Sequence, residues 1–349
     1  MVAASIVLLW IAASLLARTA HHQRMQRATR EATRAEAATA AKRGRDAVAF
    51  MREAVVLEPN RPEYRLALAK ALVTVGQPAE AEPYVQEALR EEPVNGEANL
   101  VLARILDQQG NRTEAERAFY RAIYGRWPTS GQSLRTRARL ELVDLYRRSG
   151  ERGRLRAALL ELSTAFPGDR ALQLQAGRDL LAAGFSDDAA RQLRVVVERF
   201  ADAGDALSLL AKAEFARRNY VDAYSAASRA VARDGHDDEA AALRGLSAGV
   251  LGLDPDQPRL SSRERLTRLR VLLSHVRTRM GRCDAGKTGD GDSLLPLIDQ
   301  WLARRSPDAD LGRTLLEGAV RRLPPACLPP PETDAIGRVL ADLVAERRR

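Results

Sequence analysis

Leu68-Ala69-Lys70-Ala71-Leu72 is followed, 34 residues on, by Leu102-Ala103-Arg104-Ile105-Leu106. Each pentad precedes a glycine (Gly76, Gly110), a small residue (Ala81, Ala115) and a large one (Val85, Phe119). The same order returns at Leu142-Val143 with Tyr146, Gly150, Leu155, Leu159 and Pro167, and at Ala176-Gly177 with Leu180, Gly184, Ala189 and Leu193. A fifth copy has Leu210-Ala211, Glu214, Tyr220, Ala223 and Ala227. A fixed spacing of this length marks a repeat array. Apolar residues three and four apart on either side of a glycine make each unit two amphipathic helices joined by a turn. Small residues at the eighth and twentieth positions let neighbouring helices approach closely, and large ones at the seventh, eleventh and twenty-fourth fill the space between. One unit cannot bury its own apolar face, so the units stack.

Outward from this core the pattern loosens. Asp46 to Pro59 reads as a second helix, with a first helix to come from Ala28–Ala41, a stretch without large core residues. Residues 19–45 are therefore read as a helical stalk. Tyr124 to Arg135 adds six residues to the period and is read as a longer loop. Asp238–Gly252 supplies one more first helix before Pro255 and Pro258 break the pattern. The expected domains are residues 1–18, an anchor; 19–45, the stalk; 46–252, the repeats; and 253–349, a small helical C-terminal region. In that last region Ser261 or Ser262 caps a helix to about Met280, and shorter helices follow near 293–304, 308–323 and 332–346.

These residues resemble the tetratricopeptide repeat (TPR) pattern. The resemblance implies an all-α fold, a right-handed superhelix of helix-turn-helix repeats. It also implies a scaffold that holds an extended peptide or a partner's helix against its first helices. The ninth repeat position is the one that faces such a groove, and here it carries Lys70, Arg104, Asp144, Arg178 and Lys212. Arg137, Arg147 and Arg148 lie near them in the third repeat. Four bases and one acid form a candidate peptide-binding row for an acidic segment or a C-terminal carboxylate. The row is similar to the carboxylate clamp of chaperone-binding members in charge alone, because the clamp's groove asparagines are missing.

Composition narrows the classes further. Of 349 residues, 45% are hydrophobic and 29% charged, which excludes a wholly disordered chain. The formal charge of +9 comes almost entirely from arginine. Nucleic acid is disfavoured as a partner, since aromatics for base stacking are only 5% of the chain. Val2–Ala17 carries no charge and has no basic residue before it, so it is read as an uncleaved transmembrane anchor rather than a signal peptide. Arg18, Arg24, Arg27, Arg30 and Arg34 follow it, which places the bulk of the chain on the cytoplasmic side of an inner or plasma membrane. The alternative is a periplasm-facing envelope-assembly factor in which Cys283 and Cys327 pair; in a cytoplasmic chain free thiols are expected.

No enzyme, cofactor or metal site is expected. Gly281 to Thr288 fits the GxxxxGK[ST] string, but a helix precedes it and Asp290 and Asp292 follow where phosphate must sit. Gly245 to Gly249 fits GxSxG, yet Gly245 falls at a small packing position of a repeat helix. His21 and His22 are adjacent and form no metal site.

Overall fold

The computed structural model describes residues 2–200, 202–282 and 294–346. Among them are seventeen α-helices and, apart from one isolated bridge between Asn95 and Arg126, no paired strand. The chain divides into two compact units, Met1–Leu162 and Ser163–Arg349.

Unit 1 holds α1 (Val2–Ala40), α2 (Gly44–Leu57), α3 (Pro62–Thr74), α4 (Pro78–Glu91), α5 (Gly96–Gln108), α6 (Arg112–Tyr124) and α7 (Gln132–Ser149), and α8 (Arg152–Ala165) runs out of its end. The helices pack as consecutive antiparallel pairs. Leu68, Leu72, Val85, Leu102, Phe119, Leu142 and Tyr146 are buried where the period places large residues, and Ala69, Ala81, Ala103 and Ala115 are fully buried where it places small ones.

Unit 2 continues with α9 (Arg170–Ala182), α10 (Ser186–Arg199), α11 (Gly204–Ala216), α12 (Tyr220–Arg233) and α13 (Asp238–Leu253). Its C-terminal helices are α14 (Ser262–Arg282), α15 (Leu294–Ala303), α16 (Ala309–Arg322) and α17 (Ala335–Glu346). Leu272, Leu273, Val276, Trp301, Leu316 and Leu340 from these helices join one core with Phe215, Tyr220 and Val250 of the repeats. Ser261 caps α14 reciprocally: its Oγ accepts from Glu264 N at 3.2 Å, and its own N–H donates to the Glu264 carboxylate at 3.0 Å.

One local feature fixes the repeat register. Lys42, Gly76, Gly110, Gly150, Gly184 and Arg218 all have φ between 57° and 80°. Each closes a first helix in the same way. Gly76 N donates to Val73 O at 3.1 Å and Gln77 N to Leu72 O at 2.9 Å; Lys42 N donates to Thr39 O at 3.0 Å and Arg43 N to Ala38 O at 2.8 Å. This paired bonding needs one left-handed residue, which is why glycine recurs there.

The turn at Lys42 shows that α1 and α2 form a repeat of their own. Residues 28–40 are not a projecting stalk: Ala28, Ala32, Ala35 and Ala38 are buried against α2. The insertion after Tyr124 is not simply a longer loop either. It holds a 3-10 turn at Thr129–Gly131, and α7 begins at Gln132. Trp127 anchors it by donating to Ala122 O at 2.7 Å, with its ring over Gly96, where a Cβ would lie 2.3 Å from the indole nitrogen.

The transmembrane expectation for Val2–Ala17 does not gain support. Among the described residues no helix is long and apolar enough to cross a membrane. The segment forms the start of α1, on which Trp10, Leu15 and Leu16 are exposed.

Candidate functional site: a cavity against the first helices of unit 1

A cavity of about 860 Å³ opens in unit 1. Its volume falls in the range of ligand sites. Ala35, Glu36 and Thr39 of α1 form one wall, and Ala67, Lys70, Ala71 and Thr74 of α3 the other. Gly44, Arg45, Ala47 and Met51 contribute from α2, Lys42 from the turn before it, and Arg104 from α5. The interior is methyl groups and short side chains; the charge around it is four bases and one acid. Gly44 is required for the fit of α2 beside α3, since a Cβ there would lie 2.7 Å from Val75 Cγ1.

Of the sequence-predicted row, Lys70 and Arg104 line this cavity. Both are already paired. Lys70 Nζ donates to Glu97 Oε1 at 2.6 Å, and Arg104 grips Glu141 through Nε at 2.8 Å and Nη2 at 2.7 Å. Asp144 accepts from Arg147 at 2.5 Å, and Arg148 donates to Asp107 at 2.8 Å. In unit 2, Lys212 lies 2.5 Å from Glu239. Arg178 is exposed, with no ion pair among the described residues, because Asp205 in the next first helix is taken by Arg170. Lys70, Arg104 and Lys212 thus each tie one first helix to the next.

The charged groups of the cavity without an ion pair among the described residues are Glu36, Lys42 and Arg45, all exposed. Sequence reasoning missed them. The signal that finds them is the acid of the next repeat. Glu97 and Glu239 each stand 27 residues beyond the base they neutralise, whereas Glu36 meets another acid, Glu63, at that spacing.

Buried charge elsewhere is structural. Glu214 is fully buried at a position that holds leucine in other first helices, and Arg194, Arg217 (2.8 Å) and Asn219 (3.2 Å) satisfy its carboxylate. Among the described residues no group of three or more His, Cys, Asp or Glu is placed to hold a metal ion. The GxxxxGK[ST] string from Cys283 onward lies outside the described residues, as does Cys283 itself; Cys327 is not a free thiol. Gly245, within the GxSxG string, is part of α13, but it is exposed and a Cβ there would meet nothing within 4 Å, so it is not the close-packing position that the repeat register predicts.

The tetratricopeptide repeat family model matches residues 66–131, within unit 1, and 174–246, within unit 2. No curated protein sequence matches the chain. Solved structures that it is similar to include three of known description. One is Pseudomonas aeruginosa PilF, at 13% identity over 64% of this chain and 99% of that one, with a TM-score of 0.42. Another is PilW, described as a widely conserved type IV pilus biogenesis factor, at 20% identity over 61% and 96%, with a TM-score of 0.40. The third is YrrB, described as a TPR protein with an unusual peptide-binding site, at 16% identity over 55% and 95%, with a TM-score of 0.39. Likenesses of this size carry nothing about what this chain binds.

Proposed function

We propose that this chain is a non-catalytic scaffold that holds a segment of a partner protein in the unit 1 cavity. The observation that carries the reading is the cavity itself: about 860 Å³, apolar within, against first helices whose neighbours are locked by ion pairs. The preferred segment is acidic. Lys42 and Arg45 offer unshared positive charge, and Lys70 and Arg104 retain donors beyond those given to Glu97 and Glu141. In unit 2, Arg178 is the member of the row with charge to offer a ligand.

The scaffold is also proposed to sit on a membrane through Val2–Ala17. The support is a run of sixteen uncharged residues and the exposure of Trp10, Leu15 and Leu16 at the start of α1. The proposed placement is an inner or plasma membrane, with the repeats in the cytoplasm on the charge that follows the span; a periplasmic placement is the alternative, and it is the one favoured by Cys327 not being a free thiol.

Site-specific photo-crosslinking on the full-length chain tests the scaffold reading. Probes at Ala71 and Thr74 are expected to capture one partner, which a probe at Arg117 on α6 does not. Equal capture from all three positions overturns the cavity as the site. Deleting residues 2–17 is expected to move the chain from the carbonate-resistant membrane fraction to the soluble one. An unchanged distribution overturns the anchor. A reporter active only in the cytoplasm, fused after Arg349, settles the side, and silence there favours the periplasm.

A further inference from the structure

The chain carries its own comparison for the cavity. By repeat register, Thr39, Lys42, Gly44 and Thr74 of unit 1 stand where Phe215, Arg218, Tyr220 and Val250 stand in unit 2. In unit 2 these four positions are covered by α17. The Arg338 guanidinium lies 4.8 Å from the Phe215 ring centre, and its Nε donates to Tyr220 Oη at 2.7 Å. Tyr220 Oη donates in turn to Asp342, whose Oδ1 lies 3.1 Å from Arg218 Nε. Val339, Leu340 and Leu343 are buried in one cluster with Val250. In unit 1 the same four positions all line the open cavity.

The turn residues point the same way. Of the six left-handed positions that close the repeats' first helices, four are glycine and two are long cations; a seventh left-handed residue, Arg259, lies outside these turns, in the segment before α14. A side chain at such a position costs about 1–2 kcal/mol. Arg218 uses its side chain on the carboxylate of a docked helix. Lys42 is exposed and has no ion pair among the described residues.

Resting on the reading of the cavity as a ligand site, we infer that it receives an amphipathic α-helix of a partner protein, with a carboxylate that meets Lys42 as Asp342 meets Arg218. The register also fixes what else that helix carries. Phe215 and Tyr220 fill the space beside α17, whereas Thr39 is short and Gly44 has no side chain, with Val75 packed against it. The partner helix therefore brings the bulk itself: a large apolar side chain one turn ahead of its carboxylate, in the place that Arg338 holds relative to Asp342. The ninth-position bases are secondary to this contact, being paired within the chain.

The probe is a fluorescein-labelled peptide, capped at both ends, that copies residues 334–346 with Arg338→Trp. It is titrated into the full-length chain and read by anisotropy. Saturable binding is expected. Lys42→Glu in the protein is expected to weaken it about tenfold or more, the loss of one charge-assisted contact. Asp342→Lys in the peptide is expected to do the same, and the two reversals combined restore binding. Lys42→Gly, which suits the turn, provides a variant that keeps the fold and still weakens the peptide. Ala71→Leu, which fills the floor, weakens it as well.

Absence of saturable binding overturns the inference, as does binding that ignores Lys42. A peptide with Leu340→Pro cannot form the helix; if it binds equally, an extended segment is recognised, the scaffold reading stands and this inference falls. If Arg218→Glu rather than Lys42→Glu removes binding, the peptide has exchanged with α17 and the unit 1 assignment is wrong.

Discussion

Lys42→Gly is expected to make the protein more stable and, on the helix-docking inference, a poorer binder. Lys42 has φ 57°, and its backbone N–H is already committed to the turn at Thr39 O. Relief of the left-handed conformation returns about 1–2 kcal/mol. Glycine gives back about 0.4–1 kcal/mol through the freer unfolded chain. The net gain is about 0.5–1 kcal/mol, or roughly 1–4 °C for a unit of this size. Arg218→Gly is the matched control. Its φ is 66°, so the backbone gain is the same, but it loses the pair with Asp342, where the two side chains are only 28% and 15% exposed. A charged contact that sheltered contributes about 1.5–3 kcal/mol, so Arg218→Gly is expected to come out about 0.5–2.5 kcal/mol less stable. Thermal melts of the two full-length variants, followed by circular dichroism, read the difference as opposite shifts of the midpoint. Two midpoints that move together in either direction refute the claim that Arg218 is held by its partner and Lys42 by nothing within the chain.

Gly177→Ala is expected to cost about 1–3 kcal/mol in a denaturant titration, because the new Cβ would sit 2.7 Å from Leu193 Cδ2 between α9 and α10. Asp254→Asn is expected to raise the melting midpoint at pH 7. Burial holds the Asp254 carboxyl above its ordinary value despite Arg268 and Arg313, so its contribution is full below the unfolded value of 3.8 and is lost as pH rises through the folded one. The gain from asparagine is therefore largest at neutral pH and narrows toward pH 4; a gain that grows with acid would refute the assignment. Lys287→Ala is expected to leave the melting midpoint in ATP and Mg²⁺ unchanged, checked against wild type by differential scanning fluorimetry.

The repeats were legible because their glycines, alanines and leucines occur at fixed spacing, and each type answers a geometric demand that sequence shows directly. The first repeat was not, for two physical reasons. Its first helix buries only alanines, Ala28, Ala32, Ala35 and Ala38, and an alanine-rich stretch among arginines has the look of a solvated helix. Its turn carries Lys42 where glycine was the marker. The seat of Trp127 was equally hidden, since nothing local says that an inserted indole will lie over Gly96. The cavity is the least legible feature of all. It arises from side chains that are small, and Thr39 or Gly44 gives no sign in one dimension that a repeat of unit 2 places Phe or Tyr there.

The ninth-position row illustrates the difference between a charge and an available charge. Lys70, Arg104 and Lys212 recur at one repeat position, which is what a ligand-binding row requires. Each is also answered by an acid of the next repeat, which is what a staple between first helices requires. The two roles make different demands at the first step of the array. A row for ligand alone has no reason to break there; a staple that must yield to a ligand does. At that step the ninth position is Glu36, the residue 27 further on is Glu63, and no ion pair joins α1 to α3 among the described residues. The same step has the non-glycine turn at Lys42 and the short side chains Thr39 and Gly44. Departures occur singly at other steps, where Asp144 pairs within its own helix, Arg178 has no ion pair among the described residues and Arg218 is a non-glycine turn; at this step a missing staple, a non-glycine turn and absent filling side chains coincide. An array end that was merely loose would be free to lose them at scattered places. Their convergence on the walls of one cavity, equivalent in register to the place where α17 docks, is what a site kept open for a helix predicts.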